Sequence, residues 1–144
     1  PMNFRSAVHA ELPFLRRYSR TLMGNQALGD ALVRETLEAL IEAPDEFHAG
    51  LPVRQELYRW FSRIWRSSAL RPIEMPGGVV AALPMECRQA LLLTSVEGFS
   101  PSEAATILGL AEEEVVAQVR AARAAVNSML TASILIIEDE PIIA

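Results

Sequence analysis

The side chains with the greatest catalytic potential are few in this sequence and far apart. His9 and His48 have no second histidine or cysteine at metal-ligand spacing, and Cys87 stands in an apolar helical stretch. A single cysteine excludes an internal disulfide and fits a reducing cytoplasm. There is no Gly-rich phosphate loop and no conventional pairing of a nucleophile with a base. We therefore expect no enzymatic activity and no cofactor in this segment.

The acidic run Glu112–Glu114 is the most unusual charged feature, because it opens a helix that is placed to read DNA. The preceding residues, 97–110, have the pattern of a helix-turn-helix. Ser100 and Glu103 can form a capping box at the start of its first helix, and Gly109 supplies the tight turn into the second. In a DNA-binding protein this second helix would enter the major groove with its N-terminal residues forward.

The outer face of that second helix lacks the side chains that DNA recognition requires. At about 100° per residue, the core face bears Val115, Val119, Ala122 and Val126. The opposite face bears Glu113, Glu114, Ala117, Ala121 and Ala124, with Arg120 as its only cation. Glutamates in a first turn also complement the helix dipole, which explains the charge but not the alanines. Because phosphate and base contacts rely mostly on Arg, Lys, Asn and Gln, this face is a poor reader of DNA.

Composition supports a folded protein with a weak bias against nucleic acid. The 144 residues are 51% hydrophobic and 22% charged, with a net charge of −5. Residues 1–72 contain ten arginines and eight acidic residues, whereas residues 73–144 contain three arginines and ten acidic residues. The predicted helix-turn-helix therefore lies in the acidic half. No apolar run approaches the roughly 20 residues of a membrane span, so we expect a cytoplasmic protein without a membrane segment.

Helical spacing predicts three helices in the first half, over residues 8–23, 26–42 and 52–70. In the third, Tyr58 and Trp65 share a flank beside the main apolar stripe. This flank could remain exposed until a partner covers it, or the first helix could simply pack there. The pattern leaves both possibilities open.

Two further segments complete the organisation. Prolines and adjacent glycines in residues 71–82 indicate a bendable linker. At the end, Ser133–Ile137 is a short β-branched apolar run of the buried parallel-strand type, followed directly by acidic residues. We expect units at residues 5–70 and 83–131, the linker between them, and a strand-bearing fragment at 133–144.

Several of these segments resemble extracytoplasmic-function sigma factors. Residues 82–84, 88–93, 97–100, 107–110 and 122–123 are similar to sigma region 4, and residues 29–37 and 57–66 are similar to region 2. The usual DNA-reading helix of that family opens with a proline and a small-Gly-Thr-Val run followed by Lys, Ser and Arg. Here residues 111–118 read Ala-Glu-Glu-Glu-Val-Val-Ala-Gln. The scaffold resembles the family and the reading helix does not, a departure similar to that of PhyR-type response regulators of the alphaproteobacterial general stress response.

The resemblance implies an all-α fold of two small helical lobes, one like sigma region 2 and one like the region 4 helix-turn-helix, joined by a Pro/Gly linker and followed by the first β-strand of a receiver domain. It implies a sigma-factor mimic that binds and sequesters a NepR-like anti-sigma factor and so releases the stress sigma factor, without binding promoters. We expect this segment to bind the anti-sigma factor without phosphorylation. The predicted partner contacts are Leu32, Leu37, Tyr58, Trp65, Glu113, Glu114, Ala117 and Ala121.

The resemblance to a receiver domain extends the prediction beyond this sequence. Glu138 and Asp139 occupy the positions of paired acids that help to hold Mg²⁺ in an intact receiver. That receiver would be a second partner, and we expect the sequence to be part of a longer protein. The alternative is a functional extracytoplasmic-function sigma factor or another helix-turn-helix transcription regulator, which predicts salt-dependent promoter binding.

Overall fold

Helices form nearly all of the described chain, which in this computed structural model comprises residues 4–47, 50–72 and 83–139. Their bounds are α1 Phe4–Met23, α2 Gln26–Glu42, α3 Val53–Ser67, α4 Met85–Leu91, α5 Pro101–Leu108 and α6 Glu112–Asp139. A 3₁₀ turn, Pro44–Glu46, follows α2, and one π-helical turn, Leu92–Val96, extends α4. The predicted helical character is confirmed. His48 and most of the predicted linker, residues 73–82, lie outside the described residues.

The first lobe consists of α1, α2 and α3. A tight turn joins α1 to α2, and the Asn25 side chain caps α2 by accepting a hydrogen bond from the Leu28 N–H at 2.9 Å. Gly29 permits close helix packing, because a Cβ there would lie 2.6 Å from the Arg20 Cα. The completely buried apolar side chains of this lobe include Leu15, Leu22, Leu32, Leu57 and Phe61.

The second lobe consists of α4, α5 and α6, and its local geometry follows the predicted signals. The capping box is present, with Ser100 Oγ accepting from the Glu103 N–H at 3.1 Å and Glu103 Oε1 accepting from the Ser100 N–H at 2.9 Å. Gly109 ends α5 in the left-handed conformation, with φ 70°. Along α6, Val115 and Ala122 are buried and the predicted outer face is exposed. The helix-turn-helix prediction is therefore confirmed.

The two lobes share one hydrophobic core. Buried residues of both lobes form a single cluster, in which α3 packs against α5. At the contact, the ring of Tyr58 in α3 lies 5.1 Å, centroid to centroid, from that of Phe99 in the second lobe. The lobes thus lie against each other in one arrangement.

The strand prediction for Ser133–Ile137 is wrong, since these residues continue α6. A parallel strand needs neighbouring strands to satisfy its backbone groups, and the described ranges contain none. An α-helix satisfies those groups within the segment itself. Three apolar side chains of this run remain exposed on the helix, namely Ile134, Leu135 and Ile136.

Candidate partner-binding groove

A groove of about 380 Å³ lies between the two lobes. We call it the Trp65 groove. Its apolar lining residues are Trp65, Met85, Leu108 and Leu110. Its polar lining residues are Ser62, Arg66, Glu86, Gln89, Glu114 and Gln118. The groove therefore brings together Trp65 of α3 and Glu114 of α6, which were predicted separately from opposite halves of the sequence.

Three polar atoms of this lining are buried and have no hydrogen-bond partner among the described residues of the chain. They are Ser62 Oγ, Trp65 Nε1 and Gln118 Oε1. A buried polar group without a partner costs free energy, so such groups are uncommon in folded proteins. The indole N–H lacks an acceptor and the amide oxygen lacks a donor. A polypeptide entering the groove carries both kinds of group.

The charges of the lining are mixed. Arg66 contributes one cation, and Glu86 and Glu114 contribute two carboxylates, around an apolar centre. A helix with one apolar face and charged flanks has the matching pattern, whereas DNA would require an excess of cations. The groove is therefore suited to a peptide or protein helix.

The other residues predicted on α6 lie beside the groove without lining it. Glu113, Ala117 and Ala121 are all exposed. At about 100° per residue, Ala117 and Ala121 fall within roughly 60° of Glu114 around the helix axis. The small side chains leave the backbone of α6 accessible next to the groove wall.

Three predicted contact residues lie elsewhere. Leu32 and Tyr58 have no exposed surface in this arrangement. Tyr58 packs against Tyr18 of α1, with ring centroids 5.2 Å apart. The first helix therefore covers Tyr58, which was one of the two possibilities that the sequence left open. Leu37 is half-buried and lines cavities on the outer surface of α1 and α2. A direct contact by Leu32 or Tyr58 would require rearrangement, and the predicted role of all three remains a prediction.

Another part of the interface between the lobes contains an ion-pair cluster that periodicity did not indicate. Glu97 follows the π-helical turn, and its side chain is only 1% exposed. Its Oε2 lies 3.3 Å from an Arg17 nitrogen and 3.2 Å from an Arg54 nitrogen, both in the first lobe. The Arg54 guanidinium also lies 4.6 Å from the centre of the Phe99 ring. We call these residues, together with Tyr58, the Glu97 cluster.

The pKa values of the two tyrosines in this part of the interface, Tyr18 and Tyr58, are raised. Burial and then the Glu97 carboxylate raise the pKa of Tyr58 well above its usual range. Burial, the neighbouring Tyr58 and Glu97 raise the pKa of Tyr18 in the same direction. Each effect disfavours the phenolate, so both tyrosines stay protonated in the folded chain.

The predicted metal ligands cannot be placed in the same way. Glu138 and Asp139 belong to the last turn of α6, and their side chains lie outside the described part of the structure. Their role toward Mg²⁺ therefore stays a prediction. Elsewhere in the described ranges, no group of three or more His, Cys, Asp or Glu side chains could hold a metal ion. None of the described helices has the length and apolar character needed to cross a membrane.

Comparison with protein families places both lobes in one lineage. A family model described as the sigma2 domain of PhyR matches residues 8–62. A second, described as the sigma-like domain of the response regulator PhyR, matches residues 80–128. The phyllosphere-induced regulator PhyR of Methylorubrum extorquens is 39% identical over 153 residues, which cover 99% of this chain and 56% of that protein. The chain thus spans little more than half the length of this relative.

Solved structures agree with these matches. The PhyRSL–NepR complex from Sphingomonas sp. Fr1, determined by NMR, is similar with a TM-score of 0.74 and 39% identity, over 88% of both chains. The complex of the anti-anti-sigma factor PhyR with the anti-sigma factor NepR from Bartonella quintana is similar with a TM-score of 0.73 and 30% identity, over 84% of this chain and 49% of that one.

Proposed function

The chain belongs to the PhyR family and corresponds to the sigma-like part of its members. We propose that it binds a NepR-like anti-sigma factor through the Trp65 groove. While bound, the inhibitor cannot restrain the stress sigma factor. The chain therefore acts as a decoy: it presents a sigma-shaped surface to the inhibitor without performing transcription itself.

The observation that carries the proposal is the unsatisfied groove. Trp65 Nε1 and Gln118 Oε1, on facing lobes, are buried without partners among the described residues, in a cavity with an apolar lining. A helix of the anti-sigma factor can supply the missing acceptor and donor while burying its apolar face. The similar chain from Sphingomonas was solved in complex with NepR, which supports this class of partner.

The same structure argues against promoter binding. All three glutamates Glu112–Glu114 are exposed at the leading end of α6, together with Ala117 and Ala121. In the DNA major groove these carboxylates would lie close to phosphates of like charge, and the alanines could not reach base edges. The decoy therefore competes for the inhibitor and not for the promoter.

Isothermal titration calorimetry of the unphosphorylated chain with a purified NepR-like anti-sigma factor tests the proposal. We expect one-to-one binding. Trp65→Ala should weaken it strongly, and Trp65→Phe, which removes only the N–H donor and part of the ring area, should weaken it by about tenfold, as expected for one hydrogen bond plus some packing.

The other tryptophan provides a matched control. Trp60 Nε1 already donates to the Thr36 carbonyl at 3.0 Å within the first lobe. Trp60→Phe should therefore reduce the stability of the chain but not its affinity for the anti-sigma factor. Equal affinities for the wild-type chain and both Trp65 variants would contradict the assignment of the groove.

Binding to DNA separates the proposal from its alternative. A promoter oligonucleotide should not be retained by the chain at physiological salt. Tight retention that weakens steeply as salt is raised would identify a DNA-binding regulator instead.

A further inference from the structure

We propose that Glu97 is a positioning residue for the Trp65 groove: its ion pairs with Arg17 and Arg54 set the angle between the lobes, and this angle sets the width of the groove. The binding part of this inference rests on the proposed function. The geometric part concerns the free chain alone.

The contacts of Glu97 join the two lobes directly. It belongs to the second lobe, and its carboxylate lies within 3.3 Å of Arg17 in α1 and of Arg54 in α3. The local backbone directs it there. The π-helical turn ends with the Glu97 N–H donating to the Leu92 carbonyl at 2.9 Å, and Gly98 follows in a left-handed conformation with φ 79°. A β-carbon is disfavoured at that φ, so glycine suits the position.

The energetics favour a single arrangement of this cluster. Glu97 is almost completely buried, while Arg17 and Arg54 keep 56% and 31% of their side-chain surface exposed. A buried carboxylate is costly unless its cations stay in place, so lobe movements that separate them are strongly disfavoured. The arginines, being partly exposed, can return to water if the carboxylate is removed. Loss of Glu97 should therefore loosen the lobes without unfolding them.

The cluster and the groove are carried by the same rigid elements. In the first lobe, α3 bears Arg54 near its start and Trp65 near its end, about 17 Å apart at 1.5 Å per residue. In the second lobe, α4 bears Gln89 in the groove, and its π-helical extension leads to Glu97. A rotation of about 10° at the cluster would displace the groove end of α3 by roughly 3 Å over that length. Such a change exceeds the tolerance of a hydrogen bond.

A second contact between the lobes explains why the chain should remain folded. The Arg88 side chain of α4 donates a hydrogen bond to the Leu22 carbonyl of α1 at 2.8 Å. This hydrogen bond does not involve Glu97. The shared apolar core also persists. Glu97→Gln therefore removes the ion pairs while other contacts keep the lobes together.

Pulsed electron–electron double resonance on the free chain, which measures the distance between two spin labels, tests the geometric part. Nitroxide labels are attached at Ser67→Cys and Ala124→Cys, both exposed positions, in a Cys87→Ser background. We expect Glu97→Gln to broaden the distance distribution or shift it by roughly 3 Å, and Arg17→Gln to have a smaller effect in the same direction. The matched control is Asp30→Asn, which breaks the Arg20–Asp30 ion pair of 2.7 Å within the first lobe and should leave the distribution unchanged.

The binding part is tested by titrating the same variants with the NepR-like anti-sigma factor. Glu97→Gln should weaken binding by about tenfold, and Asp30→Asn should not. Unchanged distances in both Glu97→Gln and Arg17→Gln would overturn the inference, as would changed distances with unaltered affinity. If the wild-type chain does not bind the anti-sigma factor, the proposed function is refuted. A change in the label distance in Glu97→Gln would still support the geometric role of Glu97.

Discussion

The interface between the two lobes is constructed differently at its two characterised regions. At the Glu97 cluster, a buried carboxylate is neutralised by two arginines, and Arg54 also stacks near Phe99. At the Trp65 groove, an indole N–H, a hydroxyl and an amide oxygen are buried without partners among the described residues. The Glu97 cluster is held together by ion pairs, although Glu97 Oε1 and the Tyr58 hydroxyl also lack hydrogen-bond partners among the described residues. The Trp65 groove instead leaves its unpartnered groups around a cavity that a partner can enter.

This difference separates what holds the molecule together from what a partner can use. Groups that satisfy one another within the chain contribute to stability and offer little to a ligand. Groups left unsatisfied reduce stability but gain their bonds on binding. The comparison therefore makes opposite predictions for mutations in the two regions.

The largest effect is expected for Arg54→Met, which keeps an aliphatic side chain near Phe99 but leaves the buried Glu97 with Arg17 as its remaining cation. Breaking a buried pair costs about 3 kcal/mol or more, and the remaining arginine reduces this to about 2 kcal/mol. Urea unfolding would measure the loss. The control is Arg34→Met, at an exposed arginine of α2, which should change stability little. Similar losses in the two variants would show that the Glu97 cluster contributes no more to stability than an exposed arginine does.

A smaller effect of opposite sign is expected for Ser62→Ala in the groove. Removing a buried hydroxyl without a partner should raise the free energy of unfolding by up to about 1 kcal/mol, while affinity for the anti-sigma factor falls about fivefold. Thermal unfolding and calorimetry on the same samples would measure both quantities.

Ser19→Ala is the matched control for that prediction. Ser19 is equally buried, but its hydroxyl donates to the Gly29 carbonyl at 2.8 Å. Its loss should reduce stability and leave affinity unchanged. If both serine variants were destabilised alike, the groove would not be deficient in hydrogen bonds as described.

The smallest effect concerns pH. The only two tyrosines of the chain, Tyr18 and Tyr58, have raised pKa values in the folded state. The unfolded chain releases these protons from about pH 10, whereas the folded chain retains them. The contribution to stability is therefore complete below about pH 10 and decreases as the pH rises further.

Ultraviolet absorbance of tyrosinate during alkaline titration would measure this effect, and Glu97→Gln should lower the pKa of Tyr58 because one cause of its elevation is removed. Ionisation of both tyrosines near pH 10 in the folded chain would contradict the burial of the Glu97 cluster.

Local signals predicted much of the fold and part of the groove. The capping box at Ser100 and the turn at Gly109 depend on neighbours a few residues away, and both are present. Trp65 and Glu114 were predicted from helix faces, and both line the groove. Ser62 and Gln118 were missed as partner contacts, because nothing in their own sequence context shows that a second lobe leaves them without hydrogen-bond partners.

The sequence alone determined the helices, their caps and the acidic, alanine-rich surface of α6, because these depend on spacings of three and four residues and on the charges of single side chains. Tertiary structure alone decided the burial of Tyr58, the ion pairs of Glu97 with residues 80 and 43 positions away, and the cavity between the lobes. It also decided that Ser133–Ile137 is helical, since an apolar run becomes a strand only where other strands can pair with it.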